Sequence, residues 1–329
     1  MNELVDIADG EKKLCSIVCT TYNHARYSTA AIESIAQQDY PNLEIIVVDD
    51  GSTDGNDRVL RDALEASGRP FKLILQQNTG NVPMNVNRGL AVATGAYVSL
   101  FSLDDILYPD CISSKMKSLA ADPDLVFVAN SSNVEIDAEG TVVKSMRSRG
   151  GLARREIRSV KELLEHEFSF LGSFYVQGAV VRFDIVKAFG GYDEDMAGDD
   201  LIFRTKLLQH MLSHPNMKFS FIEAAGMAYR KHQTNLHRNL WRQVRTVVQW
   251  KNRYFPERTL PERGEKLIKR FLKNGVLQGR KDEIRDAIEF DPRIREIFCS
   301  YSNTFSYKTH VSQAALRGIF KRIYPISAK

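Results

Sequence analysis

Two adjacent carboxylates, Asp104 and Asp105, follow the apolar run Ala96-Tyr97-Val98-Ser99-Leu100-Phe101. At the carboxyl end of a strand such a pair repels itself unless positive charge lies beside it. A divalent cation held against phosphate oxygens supplies that charge, and hard carboxylate ligands suit Mg²⁺ or Mn²⁺. The pair also fits a helix cap, because Asp favours helix N-termini. Polar groups close two other apolar runs in the same way. Leu14 to Thr20 leads into Thr21-Tyr22-Asn23, and Leu43 to Val48 leads into Asp49-Asp50-Gly51-Ser52.

The elements that must position these groups are legible in the spacing. Leu14–Thr20, Leu43–Val48, Phe71–Leu75 and Tyr97–Phe101 are short apolar runs of the kind that form strands buried on both faces. Between them, 27–38, 54–66 and 81–93 carry apolar residues at helical spacing. Strands alternating with helices predict a mostly parallel α/β sheet flanked by helices, with ligands outside the carboxyl ends of the strands. Further on, the pattern predicts a strand at 125–129, a hairpin over 133–143 turning at Ala138-Glu139-Gly140, and a loop around Gly150-Gly151 and Arg154 to Arg158. It also predicts a helix at 159–167, a strand at 177–183, and helices at 184–189, closed by Gly190-Gly191, and at 199–210.

The chain has 329 residues, enough for about two domains. Apolar content of 43% and charged content of 26% are those of a globular protein, and no apolar run reaches the length of a membrane span. Residues 1–13 are polar and mostly acidic, unlike a secretory signal. Cys15, Cys19, Cys111 and Cys299 show no metal-type pairing, and Cys15 and Cys19 are too far apart along a strand for a disulfide, so reduced thiols in a cytoplasmic protein are expected. The charge is unevenly placed. Residues 236–329 hold 21 Lys and Arg against 9 Asp and Glu, a net of +12, and leave −8 for residues 1–235. The expected division is therefore a catalytic domain over 1–235 and a basic helical segment over 236–329. Trp241 and Trp250 beside Arg238, Arg242 and Arg245 fit either a sugar or lipid-diphosphate contact or simple packing. Leu316, Ile319, Phe320 and Ile323, with Arg317, Lys321 and Arg322, form a basic amphipathic stripe suited to a membrane surface, a partner or the protein's own core.

Several motifs occur in one order: Thr20-Thr21-Tyr22-Asn23, Val48-Asp49-Asp50-Gly51-Ser52, Asn78-Thr79-Gly80-Asn81, Asn87-Arg88-Gly89-Leu90, Ala93-Thr94-Gly95, Asp104-Asp105, Gly190-Gly191-Tyr192-Asp193-Glu194 and Tyr229-Arg230-Lys231-His232. Over about 14–235 this series resembles the family 2 glycosyltransferases of the GT-A fold, inverting enzymes that use nucleotide sugars. The resemblance implies that Asp50 holds the base of a UDP-sugar. It places Thr20, Tyr22 and Asn23 along the nucleoside and Gly80 and Arg88 beside the donor. Gly89 would serve a tight turn near the ribose, or else ordinary packing. It puts Asp104 at the ribose or a metal-bound water. It makes Asp105 a ligand of Mn²⁺ or Mg²⁺ and His232 a ligand of that metal or of a donor phosphate, with Arg230 or Lys231 clamping phosphate. It makes Asp200 the general base, with Asp199 in the place of the family's preceding Glu. Val86 stands where the family often carries Arg.

The implied activity is transfer of a sugar to an acceptor hydroxyl, with a lipid-diphosphate-linked glycan as the acceptor. The pathway would be that of a surface polysaccharide such as O-antigen, and the basic C-terminal helices would rest on the inner face of the membrane. Two rivals remain open on the residues. A nucleotidyltransferase would show a Gly-rich basic loop after the first strand, where Thr20-Thr21-Tyr22-Asn23 stands. A non-catalytic nucleotide-binding module would not need Asp50, Asp105, Asp200 and His232 together. No nucleic-acid-binding module is recognisable.

Overall fold

A computed structural model describes residues 13–147, 157–198, 200–233, 235 and 239–323, with backbone alone at 146–147 and 316–323. Two compact units divide it. One runs to Gln233 without residues 196–198, and the other holds 196–198 and everything from Thr234 onward. Most of the expected loop, residues 150–156, lies outside the described residues.

The first unit opens with alternating strands and helices: β1 (Cys15–Thr21), α1 (Ala25–Ala36), β2 (Leu43–Asp49), α2 (Asn56–Ala66), β3 (Phe71–Leu75), α3 (Val82–Val92) and β4 (Tyr97–Ser102). The four strands are parallel, with Ile17 beside both Ile45 and Ser99. Alternation along each strand sends one set of side chains to each face. Cys15, Ile17, Cys19, Ile45 and Val47 meet Ala31, Ile32 and Ile35 of α1 and Leu60 and Leu64 of α2, all buried. On the opposite face α3 lies on β1 and β2.

Gly89 makes that approach possible, since a Cβ there would stand 2.4 Å from Val18 Cγ1 and 3.4 Å from Val48 Cγ2. Of the two readings of Gly89, a tight turn or packing, the structure shows packing: the residue sits inside a helix. Gly89→Ala gains about 1 kcal/mol of helix propensity. It loses about 1–3 kcal/mol to overpacking, because branched Val18 cannot swing aside. A net destabilisation is expected in urea unfolding, and an unchanged or raised midpoint would contradict this packing.

Glu44 ties the base of the same sheet. Its buried carboxylate accepts from Ser16 Oγ (2.6 Å) and from Thr94 N (2.7 Å) and Oγ1 (2.8 Å), and pairs with Lys72 (3.2 Å). Burial alone would raise this carboxyl, and these donors hold it below its ordinary value. The motif Ala93-Thr94-Gly95 is therefore structural.

The unit continues with β5 (Ile106–Leu107), α4 (Cys111–Ala121), β6 (Leu125–Ile136), β7 (Val142–Arg147), α5 (Val160–Phe170), β8 (Val180–Arg182), α6 (Phe183–Ala188), α7 (Asp200–Leu212) and β9 (Lys218–Arg230). The sheet order is β3-β2-β1-β4-β8-β6-β9-β5, with β7 on β6. It is mixed: β8 runs antiparallel to β4 and β6, while β6 and β9 are parallel. The strand expected at 125–129 and the first arm of the expected hairpin prove to be one strand, β6. Its long partner β9 carries Glu223, Ala224, Ala225 and Gly226, residues with weak strand preference, and pairing along β6 overrides them. β1 lies between β2 and β4, so the chain steps outward to β3 and then returns to β1's other side. That reversal opens a crevice at the carboxyl ends of β1 and β4.

The second unit contains α8 (Leu240–Tyr254), α9 (Glu262–Gln278), α10 (Lys281–Phe290), α11 (Pro292–Ser302) and α12 (Phe305–Ile323). Val244, Val248, Ile268, Phe271, Leu272, Ile284 and Ile294 form its core. Trp250 is fully buried against Phe255, and Trp241 stacks on Phe271 with ring centroids 5.4 Å apart. Both tryptophans are packing residues here. Arg242 Nε donates to Ala197 O (2.8 Å), and Arg245 lies over the Phe290 ring. Arg238 and the side chains of the 316–323 stripe lie outside the described residues. The earlier part of α12 packs on its own unit, with Tyr307 edge-on to Tyr301 and His310 Nδ1 2.7 Å from the Tyr301 hydroxyl. No helix among the described residues is long and apolar enough to cross a membrane. All four cysteines are free, and Cys299 alone is exposed.

Candidate active site

Asp49 and Asp50 divide two tasks at the end of β2. Asp49 holds the turn: it accepts from Ser52 N (2.9 Å) and Asn56 Nδ2 (3.1 Å), and Asn56 Nδ2 also reaches Thr21 Oγ1 (3.1 Å). Gly51 follows at φ +72°, where a Cβ would lie 2.5 Å from Asn78 N. Asp50 faces the neighbouring loop. Its Oδ1 accepts from Gln76 Nε2 (2.7 Å), Thr79 N (2.9 Å) and Thr79 Oγ1 (2.9 Å), and its Oδ2 accepts from Gly80 N (3.0 Å). Burial would raise this carboxyl, but the Thr79 and Gln76 donors hold it below the ordinary value. With one donor on Oδ2, a lone pair remains for an incoming N–H. Arg88 Nη1 donates to Gln76 Oε1, so it supports the Asp50 carboxylate through that amide. Val86 is buried and faces the interior of the fold.

Asn23 joins the β1 end to the β2 end. It takes φ +55°, donates its N–H to Ser52 Oγ (2.7 Å) and accepts from Thr53 N (2.8 Å) through Oδ1. Asn tolerates this left-handed conformation better than most residues. Thr20 O accepts from Leu103 N (3.3 Å), which links the β1 end to the acidic pair, and Tyr22 is 45% exposed.

The acidic pair splits in the same manner as Asp49 and Asp50. Asp104 Oδ1 accepts from Ser102 Oγ (2.5 Å), and its Oδ2 lies 3.0 Å from His232 Nε2, across 128 residues of sequence. Asp105 is 1% exposed, and its Oδ1 accepts from Arg230 N (2.7 Å). Asp105 Oδ2 is buried without a hydrogen-bond partner. Burial and the charge of Asp104 push the Asp105 carboxyl well above its ordinary value, against the Arg230 peptide N–H, the Arg230 guanidinium and the Gln177 amide. Burial acts on Asp104 in the same direction, but the His232 and Ser102 bonds and nearby His24 overcome it and hold its carboxyl low.

Two expected phosphate clamps have internal partners. Arg230 Nε donates to Asp104 O (2.8 Å), its Nη1 donates to Ala138 O (3.1 Å), and the guanidinium lies over the Tyr27 ring. Lys231 pairs with Glu135 (2.8 Å).

His24 was not legible as a site residue. It is the N-cap of α1, with its ring centroid 5.6 Å from that of His232. One donor atom each from His24, Asp104 and His232 lie within 4.8 Å of one another. Burial lowers the His24 imidazole below the usual histidine value, against the pull of Asp104. The sequence signal, an imidazole right after a strand-end Asn, is too common to single out.

Asp200 opens α7, with its side chain 42% exposed and Arg204 Nη1 4.0 Å away. The Tyr229 hydroxyl is raised by burial and by the charges of Asp105, Asp104 and Asp200. Asp199 lies outside the described residues. The preceding motif is bolted to α3: Asn87 Nδ2 donates to Tyr192 O (2.9 Å) and Glu194 Oε1 (2.9 Å), and Asn81 Nδ2 donates to Glu194 O (2.8 Å). Among the described residues the structure thus brings together donor atoms of His24, Asp104 and His232, a cluster that leaves out Asp105, while Asp50 and Arg88 share a hydrogen-bond network of their own through Gln76.

The sequence model of Glycosyl transferase family 2 matches residues 16–187. The chain belongs to glycosyltransferase family 2. Among curated family relatives, Glycosyltransferase GlyG of Streptococcus pneumoniae is 35% identical over 102 residues, 31% of this chain and 34% of that protein. The GalNAc(5)-diNAcBac-PP-undecaprenol beta-1,3-glucosyltransferase of Campylobacter jejuni is 34% identical over 161 residues, 49% of this chain and 50% of that protein. The chain therefore spans about a third to a half of the length of these relatives. Among solved structures, the mannosyltransferase PcManGT of Pyrobaculum calidifontis, in complex with GDP-Man and Mn²⁺, superposes with a TM-score of 0.55 at 17% identity, covering 95% of this chain and 88% of that one. S. aureus TarS 1–349 in complex with UDP-GlcNAc gives 0.52 at 15% identity, covering 94% and 92%. At these identities the likeness shows the fold, and the fold of this family 2 chain is the GT-A α/β fold.

Proposed function

We propose that this protein transfers a sugar from a UDP-sugar to an acceptor hydroxyl with inversion, by a single in-line displacement assisted by a divalent cation. The observation that carries the reading is the meeting of His232 at 3.0 Å with Asp104, next in sequence to Asp105, whose Oδ2 is buried without a hydrogen-bond partner. An anionic oxygen buried without a donor is costly unless a cation or a proton satisfies it. A divalent cation there, held by His232 and the Asp104-Asp105 pair, would stabilise the charge that develops on the departing nucleoside diphosphate. Asp50 and Gly80 form the base-holding loop, Thr20, Tyr22 and Asn23 the nucleoside wall, and Arg88 its support. Asp200 receives the acceptor's proton as its oxygen attacks the anomeric carbon.

The acceptor in this reading is a lipid-diphosphate-linked glycan of surface polysaccharide synthesis, in keeping with the name of the Campylobacter relative. The basic second unit would rest on the inner, anionic face of the membrane. The uridine assignment agrees with the ligand of the TarS complex, whereas the PcManGT complex holds a guanosine donor.

The test is UDP release from a panel of UDP-sugars, with and without Mn²⁺ or Mg²⁺. Metal-dependent release with one preferred sugar is expected, with Asp105→Ala slower by roughly 100-fold, as for loss of one strong transition-state stabiliser. Release that ignores both the metal and Asp105 would overturn the proposed cation role.

A further inference from the structure

The geometry points to His24 as a further metal ligand of this site, which makes it a two-imidazole site selective for Mn²⁺ or Co²⁺ over Mg²⁺; the inference rests on the cation reading above. Three observations carry it. First, His24, Asp104 and His232 each offer a donor atom within 4.8 Å of the other two. Donors about 2.1 Å from one ion lie about 3.0 Å apart at a right angle and about 4.2 Å apart when opposite. The 3.0 Å between His232 Nε2 and Asp104 Oδ2 is already the right-angle spacing, and the His24 donor atom lies within 4.8 Å of both.

Second, His24 Nδ1 is buried and has no hydrogen-bond partner. A neutral imidazole spends one nitrogen as donor and keeps the other as acceptor, so a buried ring nitrogen without a partner is a ligand in waiting or an uncompensated cost. Third, the backbone of His24 is held rigidly. Its carbonyl accepts from Tyr27 N (2.8 Å) and Ser28 N (2.9 Å), and the next residue, Ala25, donates its N–H to Asp54 (2.9 Å). The Tyr27 ring lies 5.1 Å from that of His232, so the first turn of α1 positions both imidazoles. Mg²⁺ prefers oxygen ligands and retains its waters, while two ring nitrogens favour later first-row ions.

The experiment uses the full chain and reads the ion directly. Free Mn²⁺ is followed by electron paramagnetic resonance, and the exchangeable imidazole N–H signals shifted by bound Co²⁺ are counted by proton NMR, in wild type and His24→Gln. Wild type is expected to bind Mn²⁺ more tightly than Mg²⁺ and to show two shifted imidazoles. His24→Gln should show one and raise the Mn²⁺ dissociation constant roughly 10- to 100-fold, a range that even outer-shell partners command. One shifted imidazole in wild type, or equal Mn²⁺ affinity in both proteins, would overturn the role of His24 and leave the transferase reading intact. No binding of any divalent ion, alongside metal-independent UDP release, would overturn both this inference and the proposed cation. Should His24→Gln not fold, the imidazole count on wild type decides alone.

Discussion

Asp200→Asn is expected to lower the rate of sugar transfer by roughly 10²- to 10⁴-fold, the usual worth of a positioned general base, while UDP affinity stays within about threefold. The substitution keeps the shape of the side chain and removes only its capacity to take a proton. Asp200 suits the task because it is accessible at the head of α7, 42% exposed, yet fixed by a helix that begins at that residue. Its charge acts on the Tyr229 hydroxyl, as do those of Asp104 and Asp105. Initial rates with a donor and acceptor pair give the measurement, and UDP binding is the control. Asp199→Asn, one residue earlier, is expected to cost less than a tenth as much on the same scale. Full activity in Asp200→Asn, or the large loss moving to Asp199→Asn, would reassign the base.

Arg204→Met is expected to destabilise the protein by about 3–5 kcal/mol, the cost of leaving one member of a buried ion pair alone. Arg204 and Glu167 have side-chain exposures of 7% and 0%, with Nε 2.9 Å from Oε1. Arg204 Nη1 also donates to Phe174 O (3.0 Å), and Ser173 Oγ donates to the other Glu167 oxygen. Burial opposes the Arg204 charge, and Glu167 and Asp200 outweigh it. Methionine fills the volume but leaves Glu167 charged and dry. The double variant Arg204→Met, Glu167→Gln removes both charges and should recover much of the loss, far from the sum of the single effects. Denaturant unfolding measures this. A loss below about 1 kcal/mol would mean that the pair is not closed from water. The same variant should slow transfer, because Arg204 stands one turn below Asp200 and connects it to the α5 anchor Glu167.

The parallel core was legible because its signals are local and mutually consistent. Leu43 to Val48 is apolar throughout except for Glu44, Ile32 and Ile35 recur at helical spacing, and Asn81 caps α3 through Met84 N (3.1 Å). The outer strands were not. β6 was divided because Asn130, Ser131, Ser132 and Asn133 interrupt an apolar run, yet Asn130 and Ser132 spend their side chains on the backbone of β9. β9 was missed because its pairing, not its composition, makes it a strand. The carboxylates were singled out because they end apolar strands. His24, Gln76 and Gln177 were missed because their meaning lies in contacts far away in the chain: Gln76 props Asp50 (2.7 Å), and Gln177 Oε1 accepts from Ser102 N (3.1 Å). Arg230 was expected at phosphate because its charge was visible, while the carbonyls that occupy it were not.

The central claim is that the loop around Asp50 and the edge around Asp104, Asp105 and His232 together hold a uridine diphosphate and its cation. Calorimetric titration of UDP into wild type and Asp50→Ala, with and without Mn²⁺, tests this most directly. One UDP is expected to bind per chain, tighter with Mn²⁺, and at least roughly tenfold weaker in Asp50→Ala, as for loss of a buried charged hydrogen-bond partner. Absence of UDP binding under every condition, with GDP or dTDP bound in its place, would contradict the uridine assignment; no nucleotide bound at all would contradict the site.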